Sequence, residues 1–182
     1  MERLESSEII VTEKLDGENT SLHTHFYHAR SENSPSGAPW RVKVRELHNQ
    51  IGSQIPEALQ ICGEYMYAKH SILYTNLTDY FYVFGIIDKK EEKVLSWAET
   101  LEYSELLGLS VVPVLFRGAY KNWDKALPTQ SYFGKEIEGY VIRYSGKFPL
   151  REFPTNVAKF ARADHVQTDR HWTKNWEKNI LV

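Results

Sequence analysis

Apolar residues in this chain cluster in short blocks that are separated by turn-forming residues. Ile9-Ile10-Val11 running into Lys14, and the polar–apolar alternation of Ser21–Tyr27, predict two strands joined at Asp16-Gly17. Residues 31–39 (SENSPSGAP) are turn formers and predict a loop. Val44, Leu47, Ile51 and Ile55 recur at helical spacing before Pro56, which predicts a helix from Trp40 to Gln54. Ile61–Ala68 and Tyr80–Asp88 read as buried strands, and the charged turn 89–92 leads into Val94-Leu95. Ser96 and Glu99 have the spacing of a capping box, opening a helix that stops at Gly108. Val111–Phe116, Ile137–Tyr144 and Val157–Ala161 complete the predicted strands. The expected class is α+β, with antiparallel-leaning sheets flanked by helices. No repeat or linker divides the chain, so residues 1–182 are expected to form one domain, with 163–182 a basic helical extension.

The composition narrows the class. With 182 residues, 42% of them hydrophobic, the chain can bury a core without disulfides or a structural metal. Its single cysteine, Cys62, excludes an internal disulfide and fits a reducing, cytoplasmic setting. Cys62 sits in an apolar block and reads as core. Apolar runs are too short for a membrane span, and no signal peptide is visible. A net charge of −2 lacks the basic excess of a typical nucleic-acid binder. The charge is uneven, however. Lys159, Arg162, Arg170, Lys174 and Lys178 make the end of the chain locally basic, enough either for a phosphate backbone or for a solvated surface.

Three features bear on chemistry. No GxxxxGK[ST] or GxGxxG occurs, which disfavours a phosphate-loop kinase or a Rossmann domain. His23, His25 and His28 could suggest zinc, but on one continuous strand His28 faces away from the other two and no cysteine accompanies them. The segment Glu13-Lys14-Leu15-Asp16-Gly17-Glu18-Asn19 is the informative one. A lysine followed by an acid and a glycine can present an amine beside backbone that approaches a phosphate. Lysine amines have a pKa of about 10.4, so using one as a nucleophile at pH 7 means offsetting roughly 4–5 kcal/mol. Alone, the pattern is equally a strand ending in a turn with a solvated lysine.

Further blocks follow in order: His28-Ala29-Arg30-Ser31, Gly63–Ile72 (GEYMYAKHSI), Phe81–Ile86 (FYVFGI), Glu138–Arg143 (EGYVIR) and Val157–Arg162 (VAKFAR). With EKLDGEN, this set strongly resembles the ATP-dependent RNA ligase family, within the covalent lysyl-AMP nucleotidyltransferases, and covers roughly Ile9–Trp172. The resemblance implies a nucleotidyltransferase (ATP-grasp-like ligase adenylation) fold. It also implies ATP as co-substrate, Mg²⁺ or Mn²⁺, and a role in RNA repair on RNA with 5′-phosphate and 3′-hydroxyl ends, with an end-healing kinase or phosphatase as a candidate partner. By the same resemblance, Lys14 would be the nucleophile on the α-phosphate, Asp16 would orient its amine and Gly17 would let the turn close. Glu13 would meet the adenine edge, and Asn19 and Arg30 would lie near the phosphate and the RNA end. Glu64 would bind the ribose hydroxyl, Phe84 would stack on adenine, Glu138 would hold the metal, and Lys159 would neutralise the α-phosphate.

The chain departs from the family pattern at Ala161, where a second lysine is common, with Arg162 next. Only 13 residues precede Lys14, and no accessory nucleic-acid domain is evident after Trp172, so end sealing is expected to be weaker than adenylation or dependent on a partner. A DNA ligase, a capping-type guanylyltransferase, and a nucleotide-binding relative without catalysis remain the alternatives.

Overall fold

A computed structural model describes residues 2–30, 37–134, 136–162 and 176–182. Its strands are β1 (Glu8–Lys14), β2 (Glu18–Leu22), β3 (Tyr27–Ala29), β4 (Leu59–Tyr65), β5 (Phe81–Asp88), β6 (Lys93–Val94), β7 (Ser110–Val111), β8 (Val114–Ala119), β9 (Gly139–Tyr144), β10 (Phe148–Pro149) and β11 (Val157–Ala161). The helices are α1 (Glu2–Glu5), α2 (Val42–Ile51), α3 (Trp97–Leu106) and α4 (Phe153–Asn156). They form a four-stranded sheet in the order β11-β9-β1-β8 and a seven-stranded sheet containing β10-β6-β5-β4-β2-β3, with β7 beside β5. The β5–β7 pairing is parallel; the other pairings between these strands are antiparallel.

The continuous apolar run in β1 has a simple cause. Ile9 and Val11 pack with Leu4 and Ile142 on the outer face of the smaller sheet, while Ile10 joins Tyr82, Trp97 and Phe133 between the sheets. A strand buried on both faces needs no polar alternation. Each such side chain, fully enclosed, contributes about 1.5–3 kcal/mol. A third apolar cluster packs α2 and α3 on the larger sheet through Val44, Ile61, Tyr65, Phe81 and Leu107.

The chain leaves the smaller sheet at Lys14 and enters the larger one at Glu18, so Leu15-Asp16-Gly17 is the crossover between sheets. That places the predicted lysine at the seam. A Cβ on Gly17 would collide with Tyr65 O and Met66 Sδ, so the crossover closes only with glycine. Gly139 meets a similar limit: a Cβ there would overlap the backbone carbonyl of Phe160 on the neighbouring strand.

Ser96 caps α3 as its spacing predicts. Its side chain accepts from Glu99 N, Glu99 returns a bond to Ser96 N, and the chain exits through Gly108 at φ +66°. Three expectations need correction. The strand Ser21–Tyr27 breaks into a hairpin, closed by His23 N donating to Phe26 O. Val111–Phe116 splits at Pro113, which has no N–H for a sheet ladder and whose carbonyl instead accepts from Glu13 N. Residues 163–175 of the expected basic helix lie outside the described residues, and 176–182 run extended, bridged to Ala68 and Leu77. Among the described residues no helix is long and apolar enough to cross a membrane.

Gly139→Ala should destabilise the fold by roughly 1–3 kcal/mol, because the added methyl forces two paired strands apart. Urea denaturation checks this as a lower midpoint at unchanged slope.

Candidate active site

The pairing register determines which side chains of the smaller sheet face the larger one. Lys14 lies opposite Gly139, which lies opposite Ala161; two residues along, Thr12, Val141 and Lys159 form the next row with the same facing. Residues two apart on a strand share a face, so Lys14 and Lys159 point into the same cleft. The larger sheet supplies the other wall: Asn19 pairs with Glu64, and Phe84 sits where the β4–β5 register shifts. The cleft between them has a volume of about 1280 Å³, and its lining includes Lys14, Asn19, Arg30, Glu64, Phe84 and Lys159. Residues far apart in sequence thus meet in one cavity.

Lys14 Nζ donates to Glu138 Oε1 at 2.5 Å, with the lysine side chain 25% exposed and the glutamate 3%. The lysine amine thus reaches the cleft while its acid partner is enclosed. Glu64 Oε1 accepts from Gly17 N at 3.1 Å. Burial, opposed by Lys14 and the Gly17 N–H and reinforced by the Glu138 and Asp16 carboxylates, pushes the Glu64 carboxyl up to about 8. Phe84 is half-buried while Phe81, Tyr82 and Val83 before it are fully buried, which leaves its ring as cleft wall rather than core.

Two side chains sit elsewhere than the sequence suggests. The Asp16 carboxylate does not bond the Lys14 amine. Its Oδ2 accepts from Ser71 N at 2.7 Å and Ile72 N at 2.8 Å, and its own N–H donates to Tyr74 Oη at 3.1 Å. Asp16 therefore fixes the crossover, and Glu138 is the acid on the amine. Glu13, next to Lys14 on a pleated strand, turns its carboxylate to the opposite face. There Oε2 accepts from Tyr132 N at 3.1 Å and the side chain is buried, while the residue still contributes to the cleft lining. Burial raises its pKa despite the bonds from Ser131 and Tyr132. Glu13 thereby anchors the segment that runs on to Glu138.

Arg162 does not replace the missing second lysine. Its N–H donates to Glu138 O at 3.0 Å, but its guanidinium pairs with Glu136. Of the three histidines, His23 and His28 approach with Nε2 atoms 3.3 Å apart, because the hairpin turn folds them together, while His25 points outward toward Glu57. Among the described residues no group of three or more His, Cys, Asp or Glu is arranged to hold a metal ion. Cys62 is buried and its thiol is pushed up to about 11 by burial.

Sequence reading missed two buried arginines. Arg143 on β9 crosses the seam to donate to Phe84 O at 3.3 Å and Leu95 O at 2.8 Å, and lies over the Trp97 ring. Burial lowers its pKa to about 10. Arg41 forms a buried pair with Glu18 at 3.0 Å at the cleft edge. A charged residue on the inward register of an apolar strand was the available signal for Arg143. Arg41 gave none, since its partner lies across the fold.

Comparison with known proteins agrees with this architecture. Curated proteins gave no match by sequence. Among solved structures, the Naegleria gruberi RNA ligase with PPi is similar at TM-score 0.66 and 20% identity, covering 93% of this chain and 54% of that one. A lysine-to-alanine mutant of the same ligase with ATP and Mn gives TM-score 0.65 and 19% identity, covering 91% and 53%. A glutamate-to-alanine mutant with AMP and Mn gives 0.64 and 17%, covering 91% and 53%. This chain spans about half the length of those ligase chains. The family model described as RNA ligase matches residues 7–161, from before β1 through β11, and the chain therefore belongs to the RNA ligase family.

Proposed function

We propose that this protein is an ATP-dependent RNA ligase that works through a covalent lysyl-AMP on Lys14. The observation that carries the reading is the cleft itself: an amine paired to a buried acid at 2.5 Å, with Lys159, Glu64 and Phe84 around it. The Naegleria gruberi structures with ATP and Mn, and with AMP and Mn, support ATP and a divalent ion as its ligands.

The ammonium must lose its proton before it can attack, and Glu138 Oε1 is the acceptor in contact. Nζ then bonds to the α-phosphorus as the bond to the β-phosphate oxygen breaks and pyrophosphate leaves. This chemistry rests on in-line placement and on cations that stabilise developing charge. Lys159 supplies one cation, projecting from the same sheet face. Mg²⁺ and Mn²⁺ take few protein ligands beside phosphates, which fits a site that offers single carboxylates rather than a three-residue cage; Glu138 would hold the ion, whose charge would stabilise the reacting phosphate. Phe84 offers a face for the adenine, and Glu64 accepts from the ribose hydroxyl. Glu13 takes part from behind the strand, through the segment that carries Glu138. Asn19 and Arg30 at the rim stand where a phosphate or RNA end would enter.

The cycle continues with AMP passing from Lys14 to an RNA 5′-phosphate, which breaks the N–P bond and forms a phosphoanhydride. A 3′-hydroxyl then attacks the 5′-phosphorus and AMP departs. RNA with 5′-phosphate and 3′-hydroxyl ends is the substrate class, in a cytoplasmic repair setting where an end-healing kinase or phosphatase prepares the ends.

Mass measurement of the protein after exposure to ATP and Mg²⁺ or Mn²⁺ tests the reading directly: an AMP adduct is expected on the wild type and none on Lys14→Ala. No adduct on the wild type under any of these conditions would sink it. Phe84→Ala should leave adduct formation possible but weaken ATP binding by about 1–3 kcal/mol, read as a raised ATP dissociation constant. The pH dependence of the ligand-free protein follows from Glu64. Its folded pKa of about 8 exceeds the ordinary glutamate value of 4.5, so the folded state keeps a proton that the unfolded chain releases. The stability from this group is greatest below pH 4.5, falls as pH rises, and is lost by about pH 8. Without metal or nucleotide, Glu64→Gln should therefore melt higher than wild type at pH 8, with the difference shrinking toward pH 5, as scanning fluorimetry would show.

A further inference from the structure

Residues 66–80 join β4 to β5 without a helix or strand of their own, yet they hold the crossover beside the nucleophile. Three bonds do this: Ser71 N and Ile72 N to the Asp16 carboxylate, and Asp16 N to the Tyr74 hydroxyl. An irregular loop can fix a turn only if the loop is itself fixed. Met66 N donates to Tyr80 O at 2.8 Å, which closes the base of the loop. The body of the loop is held by residues 176–182.

Asn179 is the centre of that hold and is 1% exposed. Its side-chain Oδ1 accepts from Tyr74 N at 2.9 Å, and its Nδ2 donates to Met66 O at 2.7 Å. One primary amide therefore ties both limbs of the loop, using an acceptor on one and a donor on the other. Its backbone continues the hold, with Asn179 N donating to Tyr67 O at 3.0 Å and its carbonyl accepting from the Tyr80 hydroxyl at 3.2 Å. Neighbouring residues add Ile180 N to Tyr74 O and Lys69 N to Glu177 O. Tyr74 is the link. Its N–H is held by Asn179, and its hydroxyl receives the Asp16 N–H two residues from Lys14.

The geometry points to Asn179 as a positioning residue for the Lys14 nucleophile, acting through Tyr74 and the Ser71–Ile72 amides on Asp16. This rests on the reading of Lys14 as the residue that takes AMP. Carboxamide chemistry is required: aspartate lacks the donor for Met66 O, and an apolar side chain leaves Tyr74 N and Met66 O buried without partners. The base and ribose side of the cleft is built on β4 and β5, so Asn179 should bear on the rate of attack rather than on ATP affinity.

The test uses the full chain with Asn179→Ala, Asn179→Asp, Tyr74→Phe and the double variant Asn179→Ala/Tyr74→Phe. Single-turnover adenylation at saturating ATP should slow roughly ten- to a hundredfold in each single variant, as expected for a misplaced nucleophile. The double variant should be no slower than the worse single one, since both cut the same relay. The ATP dissociation constant, measured with Lys14→Ala added so that no bond forms, should move less than about threefold. Amide exchange at Ser71, Ile72 and Asp16 should speed up in Asn179→Ala while β1 and β9 stay protected. Multiplying rate losses in the double variant, an ATP affinity that falls in step with the rate, or unchanged exchange at those three amides would each overturn the proposal. If Asn179→Ala does not fold, Asn179→Asp and Tyr74→Phe carry the same comparisons. A wild type that forms no adduct would refute the ligase reading, whereas the exchange measurement would still decide whether Asn179 orders the turn.

Discussion

The site depends on one constraint: a chain that ends a strand in one sheet and begins the next strand in another has three residues in which to make the change. Leu15 is buried in the seam, Asp16 is bonded on both its carboxylate and its N–H, and Gly17 has no room for a side chain. With all three determined, the last residue of the first strand has little freedom. That residue is Lys14, and its amine emerges where both sheets contribute walls. For the nucleophile proposed here, being held by backbone geometry on both sides means little reorganisation at the moment of attack, a known source of rate.

The polar groups around this crossover divide their work by face. Glu13 and Lys14 are neighbours with opposite duties, because pleating sends one side chain to each side of the sheet. Glu13 secures the segment that precedes Glu138, and Glu138 secures the amine. A change of the Glu13 side chain thus bears on the cleft through that segment. Asp16 acts in the same indirect way, through the loop that follows β4.

The strands and capped helix were legible because each rests on a local signal: apolar runs, a capping box, a glycine past a helix end. The set of cleft residues was legible for a different reason. Ordered blocks resembling a family name positions without stating what their side chains touch. The side-chain partners of Asp16 and Glu13 were not legible for that reason, since no local pattern says that Oδ2 faces Ser71 N or that a carboxylate turns to Tyr132 N. Asn179 and Arg41 were invisible because their partners lie far along the chain, at Tyr74 and Glu18. The broken strand at His23 and the split at Pro113 were readable in principle, from a turn and from a missing donor, but alternation suggested continuity.

The guanidinium of Arg143 has a mechanical consequence. It fastens a strand of one sheet to carbonyls at Phe84 and Leu95 of the other, at the floor of the cleft, and it has been stripped of water to do so. Prising the sheets apart here would expose two carbonyls and a cation together. Breathing of the cavity should therefore pivot about this tie, as a clamshell does about its hinge.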